Sequence, residues 1–149
     1  MARLVWLAAV MRYVVGHESE FQPGSVHVIE IGNPRGIGVF NVGGRLYALK
    51  NLCPHQGGPL CQGVITGTAE GRLPEKGPPQ HAWVREGEII RCPWHRWEFE
   101  IATGKTVFRS KMRVATYRVL VKENELPPAS DMVQTYAVTV EDHLVIVEI

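Results

Sequence analysis

Short runs of alternating or β-branched apolar residues cover most of the chain, and they predict strands rather than helices. No segment keeps apolar positions at a helical period over three turns. Residues 135–149 predict two strands on either side of Glu141, Asp142 and His143. The other predicted strands are 12–16, 25–31, 36–42, 45–51, 83–85, 88–91 and 114–123.

Glycine and proline mark the connections between these strands. Gly43 and Gly44 predict a tight hairpin turn, and Glu86 with Gly87 predicts a second one. Residues 66–80, with three prolines and three glycines, predict a surface loop, as do residues 124–132. Many short strands at regular spacing predict an all-β fold of antiparallel sheets, arranged as a sandwich or small barrel.

Composition narrows the class of protein. A chain of 149 residues fits one domain, and a net charge of +1 predicts no attraction to nucleic acid or membrane. The apolar stretch Leu4 to Met11 is too short to span a bilayer, so we expect residues 1–11 to form a disordered or loosely packed leader before a domain at 12–149. Three cysteines, an odd and small number, favour a reducing compartment, and we expect the cytoplasm.

Two short motifs carry the candidate chemistry, each near the tip of a predicted hairpin. The sequence CPH places Cys53 and His55 one residue apart, and CPWH places Cys92 and His95 two residues apart. Thiolate and imidazole bind borderline and soft metals. Two of each suit either a structural zinc of the Cys2His2 kind or a [2Fe–2S] cluster in which two histidines replace two cysteines.

The stretches CPHQGGPL and CPWHRWEFEIATGK closely resemble the two cluster-binding loops of the Rieske family. This resemblance implies an all-β Rieske iron–sulfur domain with a cluster-binding subdomain at about 52–104, enlarged by an insertion at 66–80. It implies a Rieske-type [2Fe–2S] cluster as the cofactor. It also implies that Cys53 and Cys92 ligate one iron, while His55 and His95 ligate the other.

The residues around the four ligands suit such a cluster. Gly57 and Gly58 would let backbone amides come close to sulfur, and Pro93 would stiffen the second loop. Trp94 and Trp97 can shield the site from water. We assign Phe99, the next aromatic residue, to the ordinary core.

Three positions depart from the family pattern. Arg96 stands where the family often has glycine, and Gly58 and Trp94 stand where high-potential members have an extra cysteine in each loop. Cys61 therefore has no cysteine to pair with, and we interpret it as a free, packed thiol. The absence of the disulfide that high-potential members have predicts a potential toward the negative end of roughly −150 to +300 mV.

The resemblance implies a one-electron carrier, a ferredoxin component that passes electrons from a reductase to a terminal oxygenase. The alternative is a small redox subunit bound tightly to another oxidoreductase, as in nitrite reductase, and a structural zinc domain is a more remote one. After the second loop only His143 remains as a histidine, so we expect no catalytic iron site in this chain and no enzyme activity of its own. Redox proteins are the expected partners.

Overall fold

Among the residues that the computed structural model describes, nine strands joined in two antiparallel sheets make up almost all of the regular structure. The structure describes residues 10–122 and 143–149. Two single turns of 3-10 helix lie at Glu18–Glu20 and Leu60–Gln62. The strands are β1 (Arg12–His17), β2 (Val26–Ile29), β3 (Ile37–Val42), β4 (Arg45–Lys50), β5 (Val64–Arg72), β6 (Gln80–Arg91), β7 (Glu98–Glu100), β8 (Thr116–Lys122) and β9 (Leu144–Glu148).

The larger sheet has six strands in the order β1-β9-β8-β4-β3-β2, and the smaller sheet has three in the order β5-β6-β7. The predicted all-β class is therefore confirmed. The Gly43–Gly44 turn is confirmed too, since it connects β3 to β4 with Val42 opposite Arg45. Met11, which we placed in the leader, exchanges two backbone hydrogen bonds with Ile149 and so extends the pairing of β1 with β9.

Both faces of strand β3 are buried, although it lies next to the edge strand β2 of the larger sheet. Ile37 and Val39 pack with Val145 and Val147 in one core cluster. Phe40 belongs to a second core cluster. That cluster also contains Ile90 and Phe99 of the smaller sheet and Ile101, which follows β7. A strand buried on both faces is largely apolar, and in this one Asn41 is the polar exception. This second cluster joins the two sheets, and it also contains all three cysteines.

The prediction of a surface loop over residues 66–80 is wrong for most of that stretch. Strands β5 and β6 form a long hairpin whose outer part pairs Thr68 with Val84 and ends with Arg72 opposite Gln80, so only residues 73–79 lie outside the strands. Pairing between β5 and β6 satisfies the backbone N–H and C=O groups, which in a surface loop would bond to water.

The predicted hairpin turn at Glu86 and Gly87 is also wrong. Strand β6 continues through these residues, and the register shifts there instead, because Thr66 and Thr68 on β5 face Ile89 and Val84 on β6. The extra residues of β6 form a large bulge in which Arg85 adopts a φ of 58°. Strand β7, three residues long, was not predicted at all.

Some predictions fall outside the described residues. The strand at 135–140, the loop at 124–132 and most of the leader belong to this group. Within the described residues, no helix is long and apolar enough to cross a membrane.

The two motif loops close with the same backbone hydrogen bonds. In the first, Cys53 N–H donates to Gly58 O and Gly57 N–H donates to Cys53 O, both at 2.8 Å. In the second, Cys92 N–H donates to Trp97 O at 2.8 Å and Arg96 N–H donates to Cys92 O at 3.0 Å. Each loop thus returns to its cysteine over the same number of residues.

Matched closure requires the same left-handed residue in both loops. The fourth residue after the cysteine has a φ of 80° at Gly57 and 59° at Arg96. Glycine adopts this conformation freely, whereas a residue with a Cβ is strained by about 1 kcal/mol. The departure from the family glycine at Arg96 therefore places strain in the second loop.

We predict that Arg96→Gly raises the free energy of unfolding by about 1 kcal/mol relative to Arg96→Ala, because only glycine relieves the left-handed strain. Both variants lose the guanidinium, so their difference isolates the backbone. Denaturant titration of the three proteins measures it. Equal stability of the glycine and alanine variants would contradict the strained loop.

A second prediction concerns the packing of Gly38 in β3 against Cys61. A Cβ at Gly38 would lie 2.5 Å from Cys61 Sγ and 2.7 Å from Cys61 Cβ. We expect Gly38→Ala to destabilise the fold by about 1–3 kcal/mol through overpacking. Gly71→Ala is the matched control, since nothing lies within 4 Å of a Cβ there. Thermal unfolding compares the two, and a Gly38→Ala variant as stable as the control would refute the contact.

Candidate metal centre

The two motif loops approach each other from different parts of the fold. The first, residues 51–63, leaves β4 of the large sheet and enters β5 of the small one, whereas the second, residues 92–97, connects β6 to β7. Only the second loop is a hairpin tip, so the prediction of two hairpin tips is half right. The second loop is flanked by an Arg91–Glu98 ion pair of 2.8 Å, which joins the ends of β6 and β7.

Cys53 and Cys92 lie side by side in the core, at 2% and 1% exposure. Burial raises the pKa of the Cys53 thiol to about 11, the backbone amide of His55 partly lowers it, and the neighbouring Cys92 thiol raises it again. A buried thiol whose pKa is raised in this way is poorly placed for chemistry of its own. A metal changes this, because metal coordination favours the thiolate.

The two motif histidines face each other beside the cysteines. The ring centroids of His55 and His95 are 4.8 Å apart, with the ring planes at 86°. His95 is exposed and His55 is half-buried. His55 Nδ1 is buried and has no hydrogen-bond partner within the described part of the chain. An unsatisfied buried nitrogen is unfavourable, which indicates that a bound group completes its coordination.

Trp97 covers His55. The two rings are stacked at 4.1 Å with an interplanar angle of 13°, and Phe108 packs edge-on against Trp97 at 4.8 Å. The predicted shielding role of Trp97 thus falls on one histidine. Phe108 lies outside both motifs and was not predicted. Phe99 is fully buried in the shared core, as we expected.

Gly58 and Trp94 bring the two loops into contact. A Cβ at Gly58 would lie 2.9 Å from Trp94 Cγ and 3.0 Å from Cys92 Sγ. These are the positions that correspond, by resemblance, to the extra cysteines of high-potential members. Here packing of an indole on a glycine joins the loops at that point. Pro93, beside Cys92, is exposed.

Asn51 anchors the first loop and was missed by sequence reasoning. Its side-chain Oδ1 accepts from the Cys61 amide at 2.8 Å, and its Nδ2 donates to Arg35 O at 3.1 Å. Asn51 is buried, so both bonds form away from water. One side chain therefore ties the end of β4, the turn before β3 and the end of the loop together.

Cys61 is a free, packed thiol, as we expected. It is buried against Gly38, its Sγ lies 3.7 Å from Leu49 O, and it forms no disulfide. Burial raises the pKa of this thiol to about 12, while the Gly38 amide lowers it in part. The thiol is thus neutral and inert.

The donor set of two cysteines and two histidines suits a cluster of two metals. Across residues 10–122 and 143–149, no three His, Cys, Asp or Glu side chains are arranged to hold one metal ion. A structural zinc needs four such ligands around one point. A Rieske-type [2Fe–2S] cluster takes two protein ligands on each iron, which suits one cysteine pair beside one histidine pair.

Comparison with curated proteins finds ferredoxins among the relatives. Ferredoxin CarAc of Metapseudomonas resinovorans is 25% identical over 114 residues, which cover 76% of this chain and 88% of the relative. Apoptosis-inducing factor 3 of Mus musculus is 31% identical over 90 residues, 60% of this chain but only 11% of that protein.

Solved structures share the fold. A ferredoxin of Sphingomonas yanoikuyae B1 superposes with a TM-score of 0.56 at 22% identity, covering 93% of this chain and 98% of that one. A protein described as the small subunit of an NADH-dependent nitrite reductase from Mycobacterium tuberculosis superposes with a TM-score of 0.59 at 13% identity, covering 94% and 96%.

A sequence model of the Rieske [2Fe-2S] domain matches residues 11–118, which include both motif loops. The fold, the paired loops and this match agree with one another. The chain belongs to the Rieske [2Fe-2S] domain family, and its cofactor is a Rieske-type [2Fe–2S] cluster.

Proposed function

We propose that this protein is a one-electron carrier in which Cys53 and Cys92 hold one iron and His55 and His95 hold the other. The observation that carries this assignment is the buried Nδ1 of His55, which has no hydrogen-bond partner among the described residues. Its ring lies against His95, beside two adjacent cysteines. A bound cluster of this type supplies one reversible electron at a potential raised by its histidine ligands.

The protein's own residues keep the site rigid and partly dry. Both loops are closed onto their cysteines by short backbone hydrogen bonds, which limits rearrangement when charge changes. Backbone amides of His55 and Gln56 point at the Cys53 sulfur, where they stabilise negative charge. Trp97 and Phe108 exclude water from one side of His55.

His95 is the residue through which we expect electrons to enter and leave. It is exposed, whereas His55 is covered by the indole of Trp97 and the cysteines are buried. Transfer between proteins needs close approach of a conducting edge to the partner, and this ring offers it. The neighbouring Trp94 is exposed as well, so the partner can contact an aromatic surface there.

We infer that the partners are a reductase and a terminal oxygenase, with catalysis carried out by the latter. The curated relative from Ralstonia sp, 26% identical over 91 residues, is the ferredoxin component of naphthalene 1,2-dioxygenase/salicylate 5-hydroxylase systems. A fold neighbour with a TM-score of 0.57 is the ferredoxin in complex with the oxygenase of carbazole 1,9a-dioxygenase. We further propose that the protein acts in the reducing cytoplasm and that residues 12–149 form a single domain.

The alternative is a small subunit held permanently by an enzyme such as nitrite reductase. The likeness of fold to the nitrite reductase small subunit, a TM-score of 0.59 over 94% of this chain, favours keeping it. The two alternatives differ in how long the partner stays bound.

The ligand assignment predicts which variants lose the cluster. His95→Ala and Cys92→Ser each remove a ligand. Each should therefore lower the iron content from two per chain to near zero and abolish the rhombic EPR signal of the reduced protein. His27→Ala and Cys61→Ser are the matched controls and should keep both. Iron analysis and EPR of the five proteins measure this. Full iron and an unchanged signal in His95→Ala would refute the assignment.

The free carrier and the fixed subunit predict different purifications. A tagged protein isolated from its own cells should elute as a 16.7 kDa chain without a stoichiometric partner, because a shuttle must release each partner quickly. Size-exclusion chromatography at physiological salt gives the answer. A constant one-to-one companion enzyme would favour the small-subunit alternative.

A further inference from the structure

Charge is distributed unevenly over the chain, although the net charge is only +1. The loops at 33–36, 52–63, 92–97 and 101–115 contain six Lys and Arg residues and no Asp or Glu. The remainder of the chain has ten Lys and Arg against fifteen Asp and Glu, a formal charge of −5. The six basic residues are Arg35, Arg96, Lys105, Arg109, Lys111 and Arg113.

Contacts place several of these charges beside the metal centre. The Arg35 guanidinium donates to the carbonyl of Gly57 in the first loop. Arg96 follows His95 directly and is exposed. Both positive charges therefore lie at the edge of the site.

Two more basic residues lie on the segment that follows Phe108. Phe108 packs on Trp97, which stacks on His55, so this segment lies next to the site. Arg109 and Lys111 follow on this segment, and both are exposed. We call Arg35, Arg96, Arg109 and Lys111 the basic rim.

Large apolar side chains are exposed within the rim. Trp94 is 55% exposed, Phe108 44% and Met112 43%. Protein interfaces are enriched in aromatic residues, methionine and arginine and are depleted in lysine, glutamate and aspartate. The nearby Arg91 does not count toward the rim, since Glu98 neutralises it.

We propose that the basic rim docks an acidic redox protein whose carboxylates surround its own cofactor. This inference rests on the proposed electron-carrier function and adds the charge of the partner to it. A rim of like charges attracts an opposite surface over about one Debye length, and the exposed aromatic residues then make the contact. The net charge of the chain does not indicate this attraction, because the acidic residues lie outside the four loops and offset the basic ones.

Small redox ions test the sign of the field at the site. The reduced protein is oxidised in a stopped-flow instrument by ferricyanide, an anion, and separately by hexaammineruthenium(III), a cation. As ionic strength rises from about 10 to about 300 mM, we expect the ferricyanide rate to fall several-fold and the ruthenium rate to rise. The opposite pattern, or equal slopes, would overturn the proposal.

Paired variants locate the field. Arg96→Gln with Arg109→Gln should flatten the ferricyanide dependence by at least about half, because two rim charges are lost. Arg45→Gln with Arg72→Gln removes the same charge from exposed positions on the hairpin β3–β4 and at the end of β5, and should leave the dependence unchanged. If both pairs act equally, net charge and not the rim sets the rates.

Calorimetry with flavodoxin, a small acidic flavoprotein, tests docking without any electron transfer. We expect binding that weakens with salt, is reduced at least about tenfold in the rim pair and persists in the control pair. Basic cytochrome c should not bind. Equal binding in the rim pair, or tighter binding of a 20-base-pair DNA duplex at physiological salt, would overturn the protein partner.

The two proposals fail in different ways. A sample without iron or the rhombic EPR signal refutes the electron carrier, while flavodoxin binding still decides the rim. A sample with a reducible cluster but no salt dependence and no flavodoxin binding refutes the rim alone.

Discussion

Two cysteine sulfurs must be held side by side inside a core that is shared by two sheets, and the other features of the site follow from this constraint. The sulfurs come from loops that leave different sheets, so neither loop can position the pair alone. Each loop is therefore closed onto its own cysteine, and the loops meet where the Trp94 indole packs on Gly58. Displacement of either closure would separate the sulfurs.

The pattern of residues along the sequence was sufficient to predict the features that depend only on neighbouring residues. The two motifs, the Gly43–Gly44 turn and most strands of the large sheet could be located because alternation and turn chemistry act over a few residues. The same holds for Cys61, which sequence alone excluded from the ligand group. The structure places it against Gly38 of β3.

Features that depend on distant residues could not be found in this way. Strand β5 is rich in glycine and polar residues, and only its pairing with β6 makes it a strand. Asn51 looks like any polar residue at a strand end until its two buried hydrogen bonds are seen. Phe108 lies far outside the motifs, and its role exists only through Trp97. The β6 bulge was mistaken for a turn because both use a left-handed residue and a glycine.

The stack of Trp97 on His55 has a kinetic consequence. One imidazole is covered and the other is exposed. Under the proposed route through His95, donor and acceptor therefore compete for the same small area around that ring. The two cannot be bound there together, so delivery becomes a strict alternation of visits. The overall rate of electron transfer is then set by the slower dissociation step. A partner that binds too tightly therefore inhibits transfer from donor to acceptor.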